Sequence, residues 1–180
     1  MEGINNSATH ITIKPCTLAD VSLLVEVGQK AYTDHYSHVW KNETDFYIQR
    51  SFSEAVFTEE LAKENVAYYL LYYQQAPAGI CKVNFNKGPD GTPDAHAMEL
   101  EKIYILQKYA GKQIGQQTLR YLLELARSRQ ITTFWLSVMT TSKALDFYKK
   151  HGFTAVKYWY LDFDELKDDY REMVTMIREV

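Results

Sequence analysis

Residues 98–127 limit what this chain can fold into more than any other stretch. Residues 98–106 (MELEKIYIL) read as a strand, with Glu99, Glu101 and Ile103 on one face and Leu100, Lys102 and Tyr104 on the other if it is unbulged. From residue 112 to 127 the pattern becomes helical. Ile114, Leu119, Leu122, Leu123 and Ala126 form an apolar stripe, with Gln116, Arg120, Glu124 and Arg127 away from it. The turn between them contains Gly111, Lys112, Gln113, Ile114 and Gly115. A turn entering a helix points several unpaired N–H groups at one spot, which favours an anion such as pyrophosphate. Small residues let phosphate oxygens approach the backbone, and Lys112 adds positive charge. The bland reading of the same residues is a plain connection with a glycine at each end.

The rest of the chain alternates similarly. Residues 10–14 form a short strand starting at His10, Pro15 ends it, and Thr17 caps a helix over residues 18–32 with Leu24, Val27 and Ala31 at helical spacing. Residues 34–65 are expected to form two short helices, with Asn42 and either Ser53 or Thr58 as caps. Residues 67–73 and 78–86 read as an antiparallel hairpin turning at residues 74–77, and residues 87–93 (KGPDGTP) as a loop. Strands at 133–139, 154–161 and 172–177 and a short helix at 142–150 complete the order, with Gly152 where a left-handed C-terminal residue belongs. The class is α/β (α+β), a mixed sheet flanked by helices, expected as one domain over residues 1–180.

Composition excludes several functions. A net charge of -3 and the lack of a basic stripe argue against nucleic acid. Cys16 and Cys81 make no disulfide framework, and neither cysteine nor histidine spacing suggests a metal; His35 with His38 alone is a weak pair. No apolar run approaches the roughly 18 residues of a membrane span, and residues 1–10 lack the regions of a signal peptide, so a cytoplasmic protein is the expectation. Fourteen tyrosines should line a core and a cleft.

Residues 110–115 resemble motif A of the GNAT acetyltransferases, Arg/Gln-x-x-Gly-x-Gly/Ala, keeping Gly115 but placing Ala110 at the Arg/Gln and Gln113 at the first glycine. Residues 141–153 (TSKALDFYKKHGF) resemble motif B, Asn-x-x-Ala-x-x-Phe-Tyr-x-x-x-Gly-Phe, departing from it only at Thr141. The resemblance implies a GNAT fold: a mixed, mostly antiparallel sheet of about seven strands in which the strand before the loop splays from its neighbour. It also implies acetyl-CoA as co-substrate, with no metal. Its pyrophosphate would lie on the amides of residues 111–116 (Gly111, Lys112, Gln113, Ile114, Gly115 and Gln116), its pantetheine arm along Ile103, Tyr104 and Ile105, and further contacts at Ser142, Phe147 and Lys150. Tyr148 inherits the role of general acid toward the departing thiolate, since a phenol is protonated at neutral pH. Glu101 matches the acid that takes the amine's proton, directly or through a water, with Glu99 in reserve.

From about residue 67 onward the chain is similar to the PaiA group of spermidine/spermine acetyltransferases, which implies a small amine, a polyamine in particular, as acceptor in a ternary complex. Asp34, Glu43, Asp45, Glu54, Glu59 and Glu60, mixed with Tyr32, Tyr36, Trp40, Tyr47 and Phe52, then hold a polycation or form a solvated acidic surface. Another acceptor (a protein N-terminus, an amino acid, an aminoglycoside) and a non-catalytic acetyl-CoA-binding module are the alternatives. The exposed last strand and the family resemblance suggest a homodimer.

Overall fold

A computed structural model describes residues 11–41 and 45–180; His10, Asn42 and Glu43 lie outside the described residues. The elements are β1 (Ile11–Pro15), α1 (Val21–Tyr36), α2 (Asp45–Phe52), α3 (Glu54–Leu61), β2 (Val66–Tyr73), β3 (Ala76–Phe85), β4 (Ala97–Ile105), α4 (Ile114–Ser128), β5 (Thr133–Met139), α5 (Ala144–Lys150), β6 (Thr154–Tyr160) and β7 (Glu172–Glu179). One seven-stranded sheet runs in the order β1-β2-β3-β4-β5-β7-β6, and only β4 and β5 pair in parallel. Among the described residues no helix is long and apolar enough to cross a membrane.

Local chemistry accounts for most boundaries. Thr17 and Asp20 close a capping box over a 3-10 turn (Leu18–Asp20) that leads into α1. That helix runs one turn past Tyr32, because Tyr36 stacks on Tyr32 with ring centroids 5.1 Å apart. Ser53 caps α3 by accepting from the Val56 amide. Gly152, at φ 84, ends α5 in the left-handed conformation.

The β2–β3 turn is tighter than expected. Gln74 and Gln75 alone make it, at φ 47 and 70, so Ala76 and Pro77 belong to the strand. Two consecutive left-handed residues match the twist of the flanking strands, as in a type I′ hairpin. The run VAYYLLYY of β2 is buried on both faces. Tyr69 and Leu71 face a core under α4 and α5, while Tyr68 and Leu70 face a second core under α1, α2 and α3.

Two irregularities of β4 shape the cleft beside it. Lys82 stands opposite Lys102 and Val83 opposite Leu100, which leaves Glu101 as the extra residue of a β-bulge. The alternation therefore flips at Glu101. Ile103 and Ile105 pack with Leu100 on the α4 side and Tyr104 on the α1 side, so Ile103 does not share a face with Glu99 as an unbulged strand required. The parallel pairing of β4 with β5 covers Ala97–Leu100 against Thr133–Leu136 and stops there. Beyond it β4 stays with β3 and β5 stays with β7, so the two strands part into a wedge.

Candidate active site

The wedge opens into a cleft of about 720 Å³. Its floor is Glu99, Glu101 and Tyr104 of β4, Trp135 and Ser137 of β5, and Trp159 of β6, while Tyr32 and Tyr36 of α1, Tyr47 of α2 and Tyr148 of α5 close its sides. Its roof is two loops clasped together. The segment after α1 meets the β6–β7 connection through an antiparallel bridge between Trp40 and Leu166, with Lys41 N–H donating to the Glu165 carbonyl at 2.8 Å and Lys167 N–H to the Val39 carbonyl at 3.0 Å. Nothing in the alternation of either loop reveals this clasp.

The loop expected to hold the cofactor lies at the N-terminus of α4. Gln113 is the residue before the helix and sits at φ 62, the left-handed region a glycine adopts without strain. Gln117 N–H closes the first turn on the Gln113 carbonyl at 3.0 Å, whereas the amides of Gly111, Gln113, Ile114, Gly115 and Gln116 meet no backbone acceptor among the described residues. A Cβ built on Gly115 would lie 3.5 Å from the Ile105 side chain and 4.0 Å from Phe147, ordinary contact that leaves room for the alanine motif A permits. Free amides, a helix N-terminus and an unpaired strand edge beside them fit a pyrophosphate and an extended amide-bearing arm.

The expected cofactor residues divide between this loop and its surroundings. Ile103, Tyr104 and Ile105 form the part of β4 that has left β5, and Phe147 packs beside Gly115. Ser142 accepts from the Ala144 amide at the entry to α5, and Lys150 is exposed at its end. The Lys112 ammonium lies 5.9 Å from the Tyr73 ring centroid. Sequence reasoning missed how α1 grips this region. Asp34, expected near the acceptor, accepts the Gln107 amide at 3.0 Å, and His35 donates from Nε2 to the Ile105 carbonyl at 2.7 Å. The last turn of α1 thereby fixes the end of β4 and the start of the loop.

Tyr148 and Glu101 line the same cleft. Tyr148 is 6% exposed, packed between Phe147 and Phe153, and its hydroxyl has no hydrogen-bond partner among the described residues. Burial, helped by the nearby Tyr36, pushes its pKa well above that of a free phenol and keeps the proton in place.

Glu101 belongs to an ion network. Lys82 Nζ lies 2.8 Å and Lys102 Nζ 3.6 Å from its carboxylate, and Asn84 donates to it at 2.6 Å. Lys82 also pairs with Glu60, and Lys87 pairs with Glu99 at 2.6 Å. Burial by itself raises the Glu101 pKa, but the two ammoniums and the hydrogen bonds outweigh it and hold the carboxyl below the usual range. Burial has the opposite effect on Lys102 and lowers its pKa, against the pull of Glu101.

The acids expected to surround a polycation are placed elsewhere. Asp34 pairs with Lys30, Glu59 with Lys63 and Glu60 with Lys82; neither these nor Asp45 and Glu54 line the cleft. The aromatics Tyr32, Tyr36, Trp40 and Tyr47 do, while Phe52 is fully buried in the core. Among the described residues no three His, Cys, Asp or Glu side chains are grouped to hold a metal ion.

A splayed parallel pair, free amides at a helix N-terminus and a buried phenol lining the cleft fit a coenzyme A-dependent acyltransferase. The chain belongs to the acetyltransferase (GNAT) family, whose model matches residues 29–153, and it is an acetyl-CoA-dependent N-acetyltransferase. It is 23% identical over 148 residues to an uncharacterised N-acetyltransferase in the pepI 3′ region of Lactobacillus delbrueckii subsp. lactis, covering 81% of this chain and 86% of that one. The fold is similar to the PaiA N-acetyltransferase of Thermoplasma acidophilum in complex with coenzyme A, at a TM-score of 0.73 and 18% identity over 94% of this chain and 99% of that one. It is also similar to the ribosomal-protein-S18-alanine N-acetyltransferase of Escherichia coli, at a TM-score of 0.70 and 17% identity over 94% of each chain.

Proposed function

We infer that the chain acetylates a primary amine of a small molecule by direct transfer in a ternary complex. The observation that carries this is the meeting of Tyr148 and Glu101 in one cleft, at the point where β4 leaves β5. Bound acetyl-CoA supplies the acetyl group as a thioester. The free amides of Gly111, Gln113, Ile114, Gly115 and Gln116 hold its pyrophosphate, and Lys112, whose own amide is taken by the Tyr109 carbonyl, adds charge. The free edge at Ile103, Tyr104 and Ile105 orients the arm that reaches the wedge; Ser142, Phe147 and Lys150 flank that path.

An amine attacks only when neutral, so the acceptor's ammonium must first lose a proton. Glu101, fixed and ionised at the cleft wall, attracts that ammonium and orients a water that carries the proton away; Glu99 lies beside it. The nitrogen's lone pair then forms the amide bond as the carbon–sulfur bond breaks. The Tyr148 hydroxyl delivers its proton to the sulfur and regains one from solvent. Neither cysteine lines the cleft, which supports transfer without an acetyl-cysteine step.

A polyamine acceptor rests on the aromatic walls and on the carboxylates that line the cleft, Glu99, Glu101 and Asp90, since Glu59 and Glu60 of the flanking helix are turned elsewhere. Cys16 and Cys81 are both free thiols, which fits the cytoplasm. The last strand, β7, lies inside the sheet between β5 and β6 rather than exposed. The edge is β6, whose exposed Val156, Tyr158 and Tyr160, at 53%, 63% and 68%, support a homodimer through that edge. Amine-dependent release of coenzyme A from acetyl-CoA tests the transfer; binding of acetyl-CoA with no release for any amine would favour a non-catalytic module.

A further inference from the structure

The loop between β4 and α4 is held mostly by its own backbone. Gly111 and Gln113 take left-handed conformations in it, at φ 76 and 62. The amides of Tyr109, Ala110 and Lys112 donate to the carbonyls of Leu106, Gln107 and Tyr109, all within the same turn. The 3-10 turn at Gln107–Tyr109 receives no side-chain cap from Leu106, the residue before it. From Gln107 to Gln113, among the described residues, a single hydrogen bond arrives from a distant part of the chain: the Gln107 amide donates to Asp34 Oδ2 at 3.0 Å.

The next residue of α1 acts just upstream. Leu106 N–H donates to the Ala78 carbonyl of β3 at 2.8 Å, and the Tyr104 carbonyl lies so close to Gly79 that a Cβ there would collide with it. Tyr104 and Leu106 therefore turn their backbone groups toward β3. Alternation turns the Ile105 carbonyl the other way, toward the side that β5 has left. His35 meets that carbonyl from Nε2 at 2.7 Å, and because a carbonyl only accepts, the contact fixes the proton on Nε2. The same turn of α1 reaches the cleft, since Tyr32 and Tyr36, four residues apart, line its wall.

We infer that Asp34 and His35 are positioning residues for coenzyme A, docking the loop and the end of β4 on α1 so that the free amides and the open strand edge face one site before the molecule arrives. This rests on the reading of the loop as the pyrophosphate site and adds the residues that hold it in shape. A loop ordered beforehand loses its conformational freedom on folding rather than on binding, which tightens the ligand. The hydrogen bonds carry the effect, not the charge. Asp34→Asn keeps an oxygen to accept the Gln107 amide, and His35→Gln keeps an N–H to donate. Asp34→Asn also releases Lys30, but that lysine is exposed and such a pair contributes little.

Calorimetric titration of the full chain with coenzyme A tests this. Asp34→Ala and His35→Ala are each expected to weaken binding about fivefold, the scale of one hydrogen bond. Asp34→Asn and His35→Gln should stay within about twofold of wild type. Amide hydrogen exchange gives a second reading: Gln107 should exchange faster in Asp34→Ala and remain protected in Asp34→Asn. Alanine variants that bind coenzyme A like wild type, even at a lower thermal midpoint, would show that these contacts only stabilise the fold and would overturn the assignment. Asparagine and glutamine variants as weak as the alanine ones would overturn it too. A wild type that fails to bind coenzyme A would sink the reading of the loop as well, whereas normal wild-type binding with unaffected alanine variants sinks the docking role alone.

Discussion

At the bulge of β4, Glu101 is met by two ammoniums and an amide, and each of those contacts favours its ionised form. Its folded pKa is depressed, so the stability it contributes is complete above the unfolded-chain value near about 4.3 and drains as pH falls through the folded value. Glu101→Gln leaves Lys82 and Lys102 short of a partner, and a loss of about 2 kcal/mol at pH 7 is expected, less than for a fully buried pair because the side chain is 29% exposed. Denaturant unfolding of both proteins from pH 7 to pH 3 checks this; the gap should close below about pH 4, and a gap independent of pH would show that the charge is not what stabilises. That Tyr148 and Glu101 belong to one site was expected from motif B and from the acid on the strand before the loop. That Glu101 is clamped was not, because Lys82 and Asn84 come from β3 and their approach depends on register.

Element by element, strand and helix positions followed from alternation and capping, while the irregularities that build the site did not. The bulge at Glu101 flips the alternation, but β4 packs against cores on both faces, so an apolar pattern does not show it. The two-residue turn at Gln74–Gln75 is hidden because Ala76 and Pro77 read as turn residues. Gln113 is the exception, because comparison with motif A marks it as standing where glycine is usual. Its φ of 62 shows why, as the position lies in the left-handed region where a side chain is strained. Gln113→Gly is therefore expected to stabilise the protein by about 1 kcal/mol and to tighten acetyl-CoA. Thermal unfolding with and without coenzyme A would show it, and a lower midpoint in both conditions would mean the Gln113 side chain makes a contact worth more than the strain.

Across the whole molecule, function comes from a sheet that holds together everywhere except beyond Leu100, where β4 and β5 separate. The free amides proposed to hold the cofactor lie on one side of that opening, the aromatic cleft on the other, and the last turn of α1 grips the end of β4 and the start of that loop through His35 and Asp34. At the far edge, Tyr158 stands on the unpaired strand β6, and light scattering should find a dimer that Tyr158→Lys shifts toward monomer; a wild-type monomer at every concentration would remove β6 as an interface. The acceptor side was the least legible part of the sequence, because its roof is made by loops clasped across 123 positions of sequence, Lys41 to Asp164. The central claim is that this cleft transfers acetyl to an amine with Tyr148 as the acid, and coenzyme A release by wild type and Tyr148→Phe across a panel of amines tests it most directly. Saturable, amine-dependent release is expected from wild type, reduced at least about 100-fold in Tyr148→Phe at unchanged acetyl-CoA affinity; no release with any amine, or equal loss of turnover and affinity in the variant, would contradict it.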